Sequence, residues 1–64
     1  MPYFNPYEKV IIDLLNRYRK PMSTLKVAER TGIAWETARD HLENLFKKGH
    51  IKKKTKSNKI IWWI

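Results

Sequence analysis

The chain has 64 residues, enough for one small domain, and a domain of that size buries only about 60% of the surface its unfolded chain exposes. It carries 14 Lys and Arg against 6 Asp and Glu, a net charge of +8, and no cysteine, which excludes disulfide frameworks and thiolate metal sites. No apolar run approaches the roughly 18 residues of a membrane span, and residues 1–6 lack the basic and apolar regions of a signal peptide, so a cytoplasmic chain is expected.

Residues 5–8, Asn-Pro-Tyr-Glu, read as a helix start: Asn5 caps, Pro6 suits the first helical position, and Glu8 stands where a capping box wants its acid. Tyr7, Val10, Ile11, Leu14 and Tyr18 fall on one helical stripe, which predicts a first helix over about 6–19, with Ile12 and Leu15 off that stripe. Pro21 ends it, because the residue before a proline is pushed out of the helical region. Ser23 is a good cap for a second helix over 24–31, with Leu25, Val27 and Ala28 as its apolar side and Gly32 as a left-handed stop. After a tight turn at Ile33-Ala34, a third helix runs over about 35–48. Its inner stripe is Ala38, Leu42 and Leu45, its margins are Trp35 and Phe46, and Gly49 closes it.

The remainder reads as a hairpin: two strands over about 50–64 flank the polar turn Lys56-Ser57-Asn58, where Asn58 can adopt a positive φ. Seven of the fourteen cations and no acid lie in residues 47–64, whereas residues 1–46 hold the other seven against all six acids. Such concentrated charge marks a polyanion-binding surface. The apolar end Ile60-Ile-Trp-Trp-Ile64 argues against a loose tail, since left in water it is an aggregation hazard. The absence of glutamine and the wealth of Ile and Lys suit a thermophile or an AT-rich genome.

Thr24 to Leu45 has the pattern of two helices crossing steeply over a short turn: a small residue at Ala28, Gly32 at the turn, then Ala38 and Leu42 inward. On Val27-Ala28, Thr31-Gly32-Ile33, Thr37-Ala38, Leu42, Leu45, Gly49, Ile51 and the basic hairpin, the chain resembles the winged helix-turn-helix DNA-binding regulators, especially small bacterial and archaeal repressor-like members. The resemblance covers nearly all of residues 6–64. It implies a mainly α fold with a small β-hairpin (α+β): three helices and a C-terminal two-stranded wing in a single domain, 1–64. It also implies double-stranded DNA as partner, with helix 3 in the major groove and the wing on the backbone or minor groove. On this likeness the DNA-binding residues are Ser23, Trp35, Glu36, Thr37, Arg39, Asp40, Asn44, Lys47, Lys52, Lys53, Lys54, Lys56, Ser57, Asn58 and Lys59.

Helix 3 departs from a simple DNA-reading helix. Between Trp35 and Phe46 it carries Glu36, Asp40 and Glu43 against Arg39 alone, and carboxylates against phosphates are unfavourable unless they accept from cytosine amino groups or are paired within the helix. Arg39–Glu43 and Glu43–Lys47 are spaced for such pairs. Trp35 reads either as a part-buried margin or as a base-stacking group, and Arg39 as a DNA contact or a surface ion pair. Strand alternation sends Ile60, Trp62 and Ile64 to one face, favoured inward by the likeness, and Ile61 and Trp63 to the other. Tyr3, Phe4, Ile12, Leu15, Ile61 and Trp63 then suggest a two-fold homodimer contact, unless Tyr3 and Phe4 cover the second face within one chain.

His41 and His50 lie far apart with no cysteine near, so no metal is assigned; no cofactor or catalytic residue is assigned either, as the chain has two serines, no phosphate-cradling glycine loop and no evident acidic pair. The reading is a nucleoid-associated transcription regulator without a ligand domain. The alternatives are an architectural, chromatin-type DNA-coating protein and a winged-helix RNA- or protein-interaction module.

Overall fold

The computed structural model describes residues 5–64; Tyr3 and Phe4, assigned above to a dimer contact, lie outside them. The element order is α1 (Pro6–Tyr18), β1 (Met22–Ser23), α2 (Thr24–Thr31), α3 (Trp35–Lys47), β2 (Lys52–Lys56) and β3 (Lys59–Trp63). The three strands form one antiparallel sheet in the order β1-β3-β2. The fold is thus three helices and a wing, with one strand more than the sequence predicted. β1 is too short for periodicity to show, and its second residue, Ser23, also caps α2.

The helix ends follow their local chemistry. Asn5 Oδ1 accepts from the Glu8 amide at 2.8 Å, and Ser23 Oγ accepts from the Lys26 amide at 3.1 Å. α1 stops on Arg19, in the left-handed region at φ 52, two residues before Pro21. α2 stops on Gly32 at φ 73. After α3, His50 N–H donates to Leu45 O and Gly49 N–H to Phe46 O, the paired bonds of a Schellman motif, with Gly49 at φ 81. That stop turns the chain so that Ile51 enters the core and the wing begins at once.

The core is Ile11 and Leu15 of α1, Met22 of β1, Val27 of α2, Leu42 and Leu45 of α3, Ile51, and Trp62 of β3, the largest wholly buried side chain. Ala28 and Ala38 are buried between α2 and α3, as their small size requires for close approach. Trp62 Nε1 donates to Thr24 Oγ1 at 2.8 Å inside the core, which fastens the wing to the start of α2.

α1 corrects the sequence reading. Its buried residues are Glu8, Ile11 and Leu15, while Tyr7, Val10 and Tyr18 are exposed. The buried stripe lies one step around the helix from the apolar one, because Glu8 and not Tyr7 faces inward in the first turn. Leu15, expected at a dimer contact, is 1% exposed and belongs to the core of one chain, and Ile12 packs against that core. Glu8 makes no capping box either; its carboxylate turns inward onto α3.

Candidate nucleic-acid interface

Three elements meet beside the wing. The capped start of α2, the start of α3 and the β2–β3 turn enclose a groove of about 400 Å³ lined by Ser23, Thr24, Leu25, Trp35, Arg39, Asn58, Lys59 and Ile60. Five of these, Ser23, Trp35, Arg39, Asn58 and Lys59, are residues the sequence assigned to DNA, brought together from three separate stretches of chain. Thr24, Leu25 and Ile60 were not assigned. Leu25 was placed on the inner side of α2, but the buried positions are Thr24, Val27 and Ala28, and Leu25 stands off that stripe at 58% exposure. Counting Thr24 as the first inward position would have released Leu25 to the groove.

The turn that closes the groove is a two-residue hairpin loop. Lys56 pairs with Lys59, and Ser57 and Asn58 both have positive φ, 49 and 65, which is the type I′ signature. That geometry matches the strand twist and carries Asn58 and Lys59 toward α3. On the opposite wall the Trp35 ring is 45% exposed, and the Arg39 guanidinium lies 5.2 Å from its centroid. Arg39 also reaches Asp40 Oδ1 at 3.3 Å. Trp35 is thus a half-open margin of α3, and Arg39 is a surface ion pair with Asp40 stacked on it. Ala34, which precedes α3, has no side chain able to cap, and no side-chain hydrogen bond closes that helix start.

The remaining assigned residues divide into groups. Glu36, Asp40 and Lys47 are exposed on the side of α3 opposite Ala38, Leu42 and Leu45, and Thr37 is half-buried beside them. Lys56 and Ser57 are exposed at the wing tip. Asn44 faces α1 instead, donating through Nδ2 to Glu8 Oε2 at 3.1 Å. Lys53 is turned inward: its Nζ lies 2.9 Å from Glu43 Oε1, over the Phe46 ring at 4.8 Å and the Trp62 ring at 5.6 Å. The ion pairs expected within α3, Arg39–Glu43 and Glu43–Lys47, are replaced by Arg39–Asp40 and Lys53–Glu43. The acidity of α3 is thereby partly answered from the wing, through a fold contact that sequence spacing alone could not give.

Glu8 supports this face from behind. Although 1% exposed, its carboxylate receives Asn44 Nδ2, has His41 Nδ1 at 3.4 Å on the same oxygen, and has Lys48 Nζ 3.7 Å from the other. Tyr7 stacks on the His41 ring with centroids 5.1 Å apart. Burial pushes the Glu8 carboxyl up, but the hydrogen bonds from Asn44 and His41 and the charges of Lys48 and His41 outweigh it, so it sits below its ordinary value of 4.5. One buried carboxylate thus ties α1 to His41 and Asn44 of α3 and to its C-cap Lys48, on the flank of the buried Ala38, Leu42 and Leu45 face. Nothing in the sequence marked Glu8 for this, because its position suited a cap.

With the geometry in place, the relationships of the chain are clear. The family model for FaeA-like protein matches residues 7–62. The chain belongs to the FaeA-like family, which is a winged helix-turn-helix family. A comparison with curated protein sequences finds no match. Among solved structures, the FaeA-like chain is similar to the Zalpha domain of PKZ from Carassius auratus, solved in complex with Z-DNA, at 26% identity and a TM-score of 0.79, over 91% of this chain and 90% of that one. It is similar to the homodimeric winged helix-turn-helix DNA-binding domain of Mb0332 from Mycobacterium bovis at 23% identity and a TM-score of 0.82, over 94% of this chain and 54% of that one. It is also similar to Sso10a-2, a DNA-binding protein from Sulfolobus solfataricus, at 24% identity and a TM-score of 0.74, over 95% of this chain and 63% of that one. The FaeA-like chain therefore spans about half to two thirds of these last two. At such identities the likeness establishes the winged-helix fold shared with DNA-binding proteins.

No described helix is long and apolar enough to cross a membrane, and among the described residues no group of three or more His, Asp or Glu could hold a metal ion.

Proposed function

We propose that this FaeA-like chain is a double-stranded DNA-binding transcription regulator. The start of α3 enters the major groove with Trp35, Glu36, Arg39 and Asp40, while the wing tip, Lys56 to Lys59, holds the backbone or the minor groove. The observation that carries this reading is the convergence of Ser23, Trp35, Arg39, Asn58 and Lys59 on one groove between the helix-turn-helix and the wing. Such an arrangement separates positioning from reading, since phosphate contacts set register and base-edge contacts set sequence. Lys56 and Lys59 have no carboxylate partner among the described residues, so their charge is available to phosphates. Arg39, stacked on Trp35, is held ready for a guanine edge, and release from Asp40 is inexpensive because that pair is exposed.

The test is the salt dependence of duplex binding. Each phosphate neutralised contributes about −0.9 to the slope of log K against log salt. Replacing Lys56 and Lys59 with alanine should therefore make the slope shallower by roughly two units, with a similar loss on every sequence. Replacing Arg39 with alanine should cost about 1–3 kcal/mol on the preferred sequence and leave random duplex less affected. A slope indifferent to the lysine pair would remove the wing from the interface.

A second reading is favoured by the exposed acids Glu36 and Asp40 on the outermost line of α3. A chain that coats DNA through its wing alone would show little preference among duplexes. Selection from a random duplex pool separates the two: a regulator yields a preferred sequence bound about a thousandfold or more tighter than random DNA. The same selection reports half-site spacing, and hence any two-fold assembly.

A further inference from the structure

We propose that the outer face of the sheet is a second nucleic-acid site, which takes the unpaired bases of a single strand, with Trp63 as stacking platform and Lys52 and Lys54 as phosphate partners. The face follows from the register. Directly paired residues of neighbouring strands share a face of the sheet. Trp62 is wholly buried, so its partners Lys53 and Met22 mark the inner side, and both are turned inward. The alternate set, Lys52 with Trp63, Lys54 with Ile61, Ser23 with Ile61 and Lys56 with Lys59, lies on the outer side. Its lysines are exposed, while Ile61 and Trp63 remain half-buried.

This face is cationic without compensation. None of Lys52, Lys54, Lys56 and Lys59 has a carboxylate partner among the described residues, whereas inward-turned Lys53 does. All six acids of the chain lie in the helices. Lys56 and Lys59 stand directly opposite each other, a like-charge pairing that weakens a hairpin. A sequence that concentrates cations against that cost presents them to a polyanion.

Charge also decides against a second copy of the chain as the occupant. A two-fold contact through this face would set four ammonium groups against four, which a closed interface disfavours strongly. The same charge argues against Ile61 and Trp63 as the dimer contact that their hydrophobicity suggested. The face is continuous with the wing tip, because Lys56 and Lys59 belong to both, and this favours nucleic acid over other polyanions. A flat aromatic surface meets the π-face of a base only when that base is unpaired; a duplex offers it phosphates and edges alone. The proposal rests on reading the wing as a nucleic-acid-binding element, and the two probes below let the two readings fail separately.

The experiment measures anisotropy with the full chain and two labelled probes, an oligothymidylate of about 15 nucleotides and a mixed-sequence duplex of about 20 base pairs. Trp63→Ala should weaken oligothymidylate binding by roughly 5- to 150-fold, the range for one lost base stack, and change duplex binding by less than about twofold. Trp63→Phe, which keeps a ring, should recover most of the loss, and Arg39→Ala should show the reverse pattern. A readout on the unaltered chain guards against misfolding: the indole N–H signal of Trp63, assigned with the Phe variant, should move on adding oligothymidylate while that of Trp62 stays. A stationary Trp63 signal would overturn the proposal. So would equal losses on both probes for Trp63→Ala, tighter binding to anionic lipid vesicles than to oligothymidylate, or a wild-type dimer in sedimentation that Trp63→Ala dissociates.

Discussion

At the scale of single residues, two buried polar groups, Thr24 and Glu8, each tie one part of the fold to another. Thr24 gives the buried Trp62 indole its hydrogen-bond partner, so Thr24→Val, nearly equal in volume, leaves that N–H unpaired. The expected cost is about 1–3 kcal/mol, read as a fall in the denaturant midpoint at constant slope. Glu8 acts on α3 in the same manner. Its folded carboxyl is held below the ordinary value of 4.5, so at pH between the two values the unfolded chain binds more protons than the folded one. The stability it supplies is therefore complete above 4.5 and lost as pH falls through the lowered folded value. Glu8→Gln keeps the shape and one acceptor for Asn44 but removes the charge facing His41 and Lys48. It should lower the neutral-pH Tm by roughly 5–15 °C, for a loss of about 1–2 kcal/mol, and flatten this part of the acid profile. Melting curves for both chains across the acid range check it; superimposable curves would show that Glu8 carries no such weight.

At the scale of elements, the helices were legible because their ends carry local signals, the uncapped start of α3 apart. Asn5 and Ser23 cap as their side chains predict, Gly32 and Gly49 stop as left-handed residues, and the turn at Ser57-Asn58 adopts the positive φ its polar residues allow. What escaped was whatever depends on contacts between distant parts of the chain. β1 exists because β3 offers it an edge, Glu8 faces inward because His41 and Asn44 of α3 and its C-cap Lys48 offer it partners, and Lys53 turns to the inner side of the sheet because Glu43 and two aromatic rings hold it. The candidate site shows the same division: five of its eight lining residues were read from the likeness, but the groove they form required the fold. Gly32 provides a clean test of the local part. A Cβ built there meets nothing within 4 Å, so the demand for glycine is conformational and not spatial. Gly32→Ala should cost about 1–2 kcal/mol in strain, whereas Gly32→Asn, a residue that tolerates the left-handed region, should cost less. Equal melting temperatures for the two variants would contradict that assignment.

At the scale of the whole molecule, the charge is divided between a basic wing and an α3 whose outermost line is acidic, and this division bears on selectivity. On the proposed reading, duplex DNA attracts the wing regardless of sequence, which supplies affinity but no discrimination. If α3 lies against the major groove, Glu36 and Asp40 oppose that attraction wherever no cytosine amino group or other donor meets them. In water a carboxylate about 5 Å from a phosphate is repelled by roughly 0.8 kcal/mol, so two of them weaken random binding by about tenfold at low salt. On a matched sequence, where one or both accept hydrogen bonds, the opposition is repaid. The acids then act as a filter against wrong sites. Glu36→Gln with Asp40→Asn should accordingly tighten random-duplex binding by roughly tenfold at low salt, and by less once the ionic strength brings the Debye length to about 10 Å. Because the preferred sequence gains little, the ratio of preferred to random affinity should fall. Titrations of both duplexes at two salt concentrations measure these quantities together. Random affinity unmoved by the double substitution would mean that α3 stands clear of the DNA and that the wing grips it alone.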